Sequence, residues 1–466
     1  MTPEYAAFLA SKSAKAPERG LAHMPDLASH LFPFQRASVE HALRIGTAAL
    51  FLDTGLGKTE CQLEWCQKAL EATNGCALII TPLAVAAQTK RRAERWGYEA
   101  RIIRDQSEVG PGINICNYDR LDRLDPSRFG AVSLDEASIL KSFGGKTTQA
   151  LTAAFKDTRF KLCATATPAP NDHMELGNYA AFLEIMSSNE MLSRWFINDT
   201  STASQEWRLK GHAERDFWDW LASWSRMASL PSDITGNPAD DVGFVLPPVE
   251  IKEHYAATSD LSHLGDGLFG TVALSATNLH DVKRETIAAR AEVAASIVAS
   301  DPSEPRILWI DTDYEADAVK RTIPSAIEIR GSMPVEQKEE ILAAFETGEI
   351  KHLIGKPAML GYGLDWSHCA RMTFVGRSYS YETFYQAVRR CWRFGQKRTV
   401  VVDLVLAEGE DVIARTVDRK AADHDKMKIA MREAMARAMN RDGSADRMVA
   451  YNPTYKGRLP KWLSAA

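Results

Sequence analysis

The stretch Phe51-Leu52-Asp53-Thr54-Gly55-Leu56-Gly57-Lys58-Thr59-Glu60 constrains this chain more than any other. The apolar run Ala48 to Leu52 has strand length, and a helical pattern begins near Lys58, carrying Leu63, Cys66 and Leu70 inward. A strand, a glycine-rich turn and a helix opening on Lys-Thr make a cradle for phosphate. The glycines let backbone N–H groups converge on phosphate oxygens, the lysine reaches the β- and γ-phosphates, and the threonine hydroxyl helps to hold Mg2+. Thr54, Gly55, Leu56, Gly57, Lys58 and Thr59 are therefore candidate nucleotide-binding residues. The general spacing places a glycine at position 52, where this chain has Leu52, and its first loop glycine is Gly55. On its own, the stretch also fits a glycine-rich turn that merely precedes a lysine.

A phosphate loop works with an acid at the end of a neighbouring strand. The run Ala131-Val132-Ser133-Leu134 ends in Asp135-Glu136-Ala137-Ser138. Asp135, with Thr59, is placed in the Mg2+ shell, and Glu136 is placed to polarise an attacking water, which makes the expected reaction nucleotide hydrolysis. Acids also favour helix N-termini, so an isolated Asp-Glu pair says little. The pair after a strand, downstream of a phosphate lysine, says much more.

Short apolar runs alternate with helical patterns over residues 28–185, including Ala77 to Ile80, Ile113 to Cys116 and Lys161 to Ala164. This alternation predicts an α/β domain with a parallel sheet covered on both faces. Residues 1–27 read as a lead-in. Residues 186–250 break the rhythm with Trp195, Trp207, Trp218, Trp220 and Trp224, then a turn-rich stretch; they read as a helical insertion and linker. Alternation resumes through Arg306 to Ile310, His352 to Ile354, Arg371 to Val375 and Val400 to Val405, giving a second α/β domain over 251–430 and a helical, polar end over 431–466.

Composition narrows the classes. The 466 residues are 45% hydrophobic and 25% charged with a net charge of −5, as for a globular protein without a global basic field. The seven cysteines form no Cys-x-x-Cys pair, which argues against a zinc site or a disulfide framework and suits a reducing compartment. The first twenty residues lack a continuous apolar segment, and no apolar run reaches the roughly 18 residues of a membrane span. A cytoplasmic location is the expectation.

Leu52 to Glu60, then Asp135-Glu136-Ala137-Ser138, then Ala164-Thr165-Ala166-Thr167-Pro168 resemble motifs I, II and III of helicase superfamily 2, and most of all its Swi/Snf-like branch of DNA translocases, related to the DEAD-box helicases. Leu31 to Leu43 resembles the adenine-recognition segment of that branch, which implies that Gln35 reads the base. Residues 79–96 resemble motif Ia and 113–121 motif Ib. In the second half, 327–345 resembles the segment around motif IV, Gly361-Tyr362-Gly363-Leu364-Asp365-Trp366 motif V, and Gln386 to Gln396 motif VI. Ser138 stands where the branch usually has a histidine, and motif III lacks a glycine that often precedes its last threonine.

The resemblance implies two RecA-like domains that close on ATP and Mg2+ and move along nucleic acid. Double-stranded DNA is favoured over single strands; RNA, or a subunit role in a nuclease or repair complex, is the alternative. It also implies a bacterial or infected host cell as the setting, and protein partners in replication, recombination or repair. Gly363 and Asp365 are placed at the interdomain cleft, touching nucleotide or nucleic acid, although Gly361 to Asp365 also reads as a structural turn. Positions 386, 389, 390 and 393 share a helical face that is either solvated or carries arginines to the γ-phosphate; the resemblance gives that role to Arg390 and Arg393 before Arg389. Thr81, Lys90, Arg91, Arg92, Arg330 and Ser332 are candidate contacts to nucleic-acid phosphates, although Lys90 to Arg92 read equally well as a solvated helix face. Trp207 and Lys210 are candidates to lie on DNA, while Phe217, Trp220, Leu221 and Trp224 have the spacing of a small helical core.

Overall fold

A computed structural model describes residues 15–73, 75–141, 145–169, 172–199, 206–257, 276–360, 365–376, 380–407 and 411–440. Its strands are β1 (Thr47–Leu52), β2 (Cys76–Thr81), β3 (Ala100–Ile102), β4 (Gly112–Asn117), β5 (Ala131–Asp135), β6 (Phe160–Ala164), β7 (Phe196–Asp199), β8 (Glu206–Leu209), β9 (Ser225–Ala228), β10 (Val249–Tyr255), β11 (Arg306–Trp309), β12 (Ile327–Glu328), β13 (His352–Gly355), β14 (Arg371–Phe374) and β15 (Val400–Leu406).

Two parallel sheets organise the chain, as expected of two RecA-like domains. The first runs β3-β4-β2-β5-β6-β1-β9, the second β10-β15-β14-β11-β13-β12. The central strands are buried along their whole length, which is why they read as unbroken apolar runs rather than as alternating ones. Parallel pairing aligns the strand ends of β1, β5 and β6, with Leu50 opposite Ala164 and Asp135 also opposite Ala164. The loops that follow these three strands are therefore neighbours in space, where ligands bind in open α/β sheets.

The tryptophan-rich segment is more closely joined to the first domain than an insertion. Residues 225–228 form β9, hydrogen-bonded in parallel to β1 with Leu50 opposite Arg226. The helix Glu214–Trp224 buries Phe217, Trp218, Trp220, Leu221 and Trp224 in the same core, and the Trp224 ring meets Phe51 edge-on at 6.2 Å. Aromatic bulk covers the sheet edge here, so the sequence rhythm changes while the sheet continues.

The helix Asp411–Asn440 crosses between the halves. It follows β15 of the second sheet, yet Met427, Met431, Ala434 and Met435 are buried in the first domain's core, beside the helix Glu214–Trp224 and β9. It runs unbroken through position 430, where the sequence suggested a domain edge. Among the described residues, no helix is long and apolar enough to cross a membrane.

Candidate nucleotide site

The loop after β1 turns twice through left-handed backbone, with φ of 97° at Gly55 and 75° at Gly57, and the helix Lys58–Glu71 then starts. Both glycines are also held by close approach. A Cβ on Gly57 would lie 2.2 Å from Gln35 Nε2, and one on Gly55 2.8 Å from the backbone N of Phe394 in the second domain. Leu52 needs no such freedom, because it ends β1 as regular strand and its carbonyl accepts from Lys58 Nζ at 2.9 Å. Burial holds the Lys58 ammonium below the usual lysine range, although Glu136, Asp135 and Asp53 pull the other way.

Gln35 is buried on the helix Pro33–Ile45. Its Oε1 accepts from the Phe32 N–H at 3.0 Å and its Nε2 donates to Leu56 O at 3.1 Å. The residue expected to read a base thus holds the backbone of the phosphate loop through Leu56 O.

Asp135 and Glu136 leave β5 beside this loop. Asp135 is fixed by two donors: Gln62 Nε2 at 2.9 Å to Oδ1 and Thr81 Oγ1 at 3.0 Å to Oδ2. Ser133 Oγ in turn donates to Gln62 Oε1 at 2.8 Å. Glu136 sits at φ 52°, a left-handed conformation that is strained for a side chain of this kind. Burial raises its carboxyl to about 7, Lys58 and Arg390 lowering it and Asp135 adding to the rise. Thr165 Oγ1 donates to Glu136 Oε2 at 3.5 Å, so the loop after β6 touches the acid pair directly.

The second domain closes the site. The helix Tyr381–Val388 ends before the arginines, so Arg389, Arg390 and Arg393 lie in the following turns and do not form the continuous helical face the spacing suggested. The turn separates their directions. Arg390 donates from Nε to Gln386 O and from Nη2 to Gln386 Oε1, both at 3.1 Å, and Arg393 Nε lies 3.4 Å from Asp365 Oδ1. One cavity of about 130 Å3 is lined by Thr54, Gly55, Gly57, Lys58, Thr59, Asp135, Glu136, Asp365, Arg390 and Arg393. Gly363 lies outside the described residues. Thr59, Asp135 and Glu136 supply only oxygen donors to this cavity, the donor set a hard divalent cation such as Mg2+ prefers.

The proposed nucleic-acid contacts are more scattered. Thr81 is fully buried with its hydroxyl committed to Asp135, which overturns its placement against a phosphate backbone and makes it a support of the acid pair. Lys90 pairs with Glu94 at 3.6 Å, as on a solvated helix face. Arg91 and Arg92 line a groove of about 410 Å3 with Gln88 and Arg95, facing Asp365, Ser367 and His368 of the second domain. Arg330 is paired with Glu328 and Asp317, while Ser332 is exposed. Trp207 packs half-buried against the first core, and Lys210 Nζ donates to the Ser193 and Arg194 carbonyls at 2.9 and 3.0 Å. Gln62, Gln88 and Asp53 were not singled out by sequence. A glutamine four residues after a phosphate lysine, on the buried side of its helix, was the available signal for Gln62.

Residues 306–395 match the family described as helicase conserved C-terminal domain. The chain is 24% identical over 475 residues to "Putative protein p41" of Acyrthosiphon pisum secondary endosymbiont phage 1, covering 88% of this chain and 98% of that protein. Among solved structures, the Sulfolobus solfataricus SWI2/SNF2 ATPase core in complex with dsDNA is similar over 90% of this chain and 98% of its own, at 15% identity and a TM-score of 0.41.

Proposed function

We propose that this protein, whose residues 306–395 match the helicase conserved C-terminal domain, is a superfamily 2 ATP- and Mg2+-dependent translocase or helicase acting on DNA. The observation that carries the reading is an interdomain cavity into which Lys58, Thr59, Asp135 and Glu136 of the first domain and Arg390 and Arg393 of the second converge.

Each side chain then has a task. Lys58 and the loop amides bind the β- and γ-phosphates. Glu136, poised near neutrality, takes the proton of the attacking water. Gln62 and Thr81 hold Asp135 in one rotamer, and Thr165 does the same for Glu136. Thr59 and Asp135 would hold Mg2+, which would supply Lewis-acid stabilisation of the phosphate oxygens. Arg390 and Arg393 neutralise charge as the γ-phosphate bond breaks, an effect on the order of 10³–10⁵ in rate for such guanidinium groups. Because binding groups come from both domains, nucleotide favours closure and hydrolysis releases it, which drives movement when both halves grip a nucleic-acid backbone.

The test is ATP hydrolysis with no nucleic acid, with duplex DNA, with single-stranded DNA and with RNA. Stimulation by DNA is expected. Stimulation by RNA alone selects an RNA helicase, and hydrolysis with DNA but without movement selects an ATP-gated subunit of a larger complex. No hydrolysis under any condition overturns the reading.

A further inference from the structure

Asp53 begins the phosphate loop, but the nucleotide chemistry above gives its side chain no task. Its backbone N–H donates to Ala228 O at 2.9 Å, which fixes it at the end of the sheet. Its carboxylate, only 6% exposed, is bound by three groups from the far half of the chain. Lys428 Nζ lies 2.7 Å from Oδ1 and 2.9 Å from Oδ2. Arg389 Nη2 lies 3.1 Å from Oδ2, and the Tyr385 hydroxyl donates to Oδ1 at 3.3 Å. Arg389 Nε also donates to Tyr385 Oη at 3.2 Å, and its guanidinium stands 4.7 Å above the Trp392 ring.

The chain connectivity gives this cluster its meaning. Asp53 is joined through four loop residues to Lys58. Arg389 adjoins Arg390 and shares a turn with Arg393. Lys428 belongs to the helix Asp411–Asn440, which leaves the second sheet and lies on the first core. One buried carboxylate therefore joins the phosphate loop, the arginine turn and the crossing helix. Arg389 and Lys428 are themselves buried, at 5% and 8% exposure, so removing Asp53 leaves two buried cations without the carboxylate they share, and removing Lys428 breaks the tether to the crossing helix while Arg389 still pairs with Asp53.

We propose that Arg389 and Lys428 are positioning residues that act through Asp53: they hold the phosphate loop in register with the arginine turn, so the loop is set for hydrolysis only while the crossing helix is seated. The proposal rests on the ATP-hydrolase reading for its consequence, and on geometry alone for the loop restraint.

The experiment uses full-length protein carrying Lys428→Met, Lys428→Arg or Asp53→Asn. Amide hydrogen exchange of residues 54–57 without nucleotide is compared with that of the β1 and β6 amides. Lys428→Met and Asp53→Asn should quicken exchange in the loop by about ten-fold or more while the core strands hold, and Lys428→Arg should restore protection. In hydrolysis, kcat should fall by about ten-fold with a smaller change in KM for ATP. Loop exchange that does not move, or loop and core exchange that quicken by the same factor, overturns the proposal; so does a loosened loop with unchanged kcat. If the unmutated protein hydrolyses no ATP, the functional reading falls, and loop exchange still decides the restraint.

Discussion

At the residue scale, Glu136 concentrates the site's electrostatic stress. Its raised carboxyl keeps a proton to about pH 7, so hydrolysis should rise with pH through a midpoint near 7 as the basic form appears. Glu136→Gln should retain ATP affinity, because Lys58, Thr59 and Asp135 remain, and should lower turnover by about 10²–10⁴-fold. Near-normal turnover in that variant would remove the general-base role. Stability gives an independent readout. A carboxyl raised in the folded state favours folding when protonated and penalises it as pH climbs through about 7, so Glu136→Gln should raise Tm at pH 8 and leave it nearly unchanged at pH 4. Equal shifts at both pH values would show that the strained backbone, not the charge, dominates. Thr81 offers a second test, since its hydroxyl serves Asp135. Thr81→Val leaves Asp135 Oδ2 short of one donor, a loss of about 1–3 kcal/mol for a buried acceptor, and should slow hydrolysis without changing the salt dependence of DNA affinity. A changed salt slope with normal hydrolysis would restore Thr81 to the nucleic-acid surface.

At the element scale, the turn after the helix Tyr381–Val388 sends Arg389 to the phosphate-loop root while Arg390 and Arg393 line the nucleotide cavity. Arg390→Ala and Arg393→Ala should each lose most DNA-stimulated hydrolysis, a drop on the order of 10³-fold, with ATP affinity by direct titration changing far less. Two folded variants hydrolysing at the unmutated rate would return these arginines to a structural role. The same turn marks how far the sequence could be read. Fully buried parallel strands read as continuous apolar runs, and the loop chemistry after β1 and β5 depends on short local spacings, so Lys58, Thr59, Asp135 and Glu136 were legible in the sequence. The end of a helix after Val388 was not, because Arg389 to Trp392 have no proline or glycine to mark a stop. Nor was Thr81, whose role depends on the parallel register that aligns β2 with β5, a long-range pairing. β9 was obscured because its flanking tryptophans pack as core while mimicking a separate helical unit.

At the scale of the whole molecule, the crossing helix decides whether the two sheets behave as separate bodies. Its connection runs from β15, and its Met427, Met431, Ala434 and Met435 lie in the first domain's core. Interfaces within a chain usually permit independent domain unfolding unless they are apolar and extensive. Here a covalently continuous helix carries the apolar contact, and the Asp53 cluster adds an ionic one at the cleft, so unfolding of one half removes a packing surface from the other. Met431 is fully buried at that contact. Met431→Ala should therefore cost about 2–5 kcal/mol of first-domain stability through the cavity it leaves. Met431→Lys goes further, because a buried ammonium without a partner disfavours the seated helix altogether. Calorimetry of the unmutated protein should give one coupled transition, and Met431→Lys should split it into two, the first-domain transition shifted to lower temperature and the second little changed. If Met431→Lys unfolds in a single transition at the unmutated Tm, the crossing helix does not couple the two halves, and its packing on the first domain contributes nothing to how they hold together.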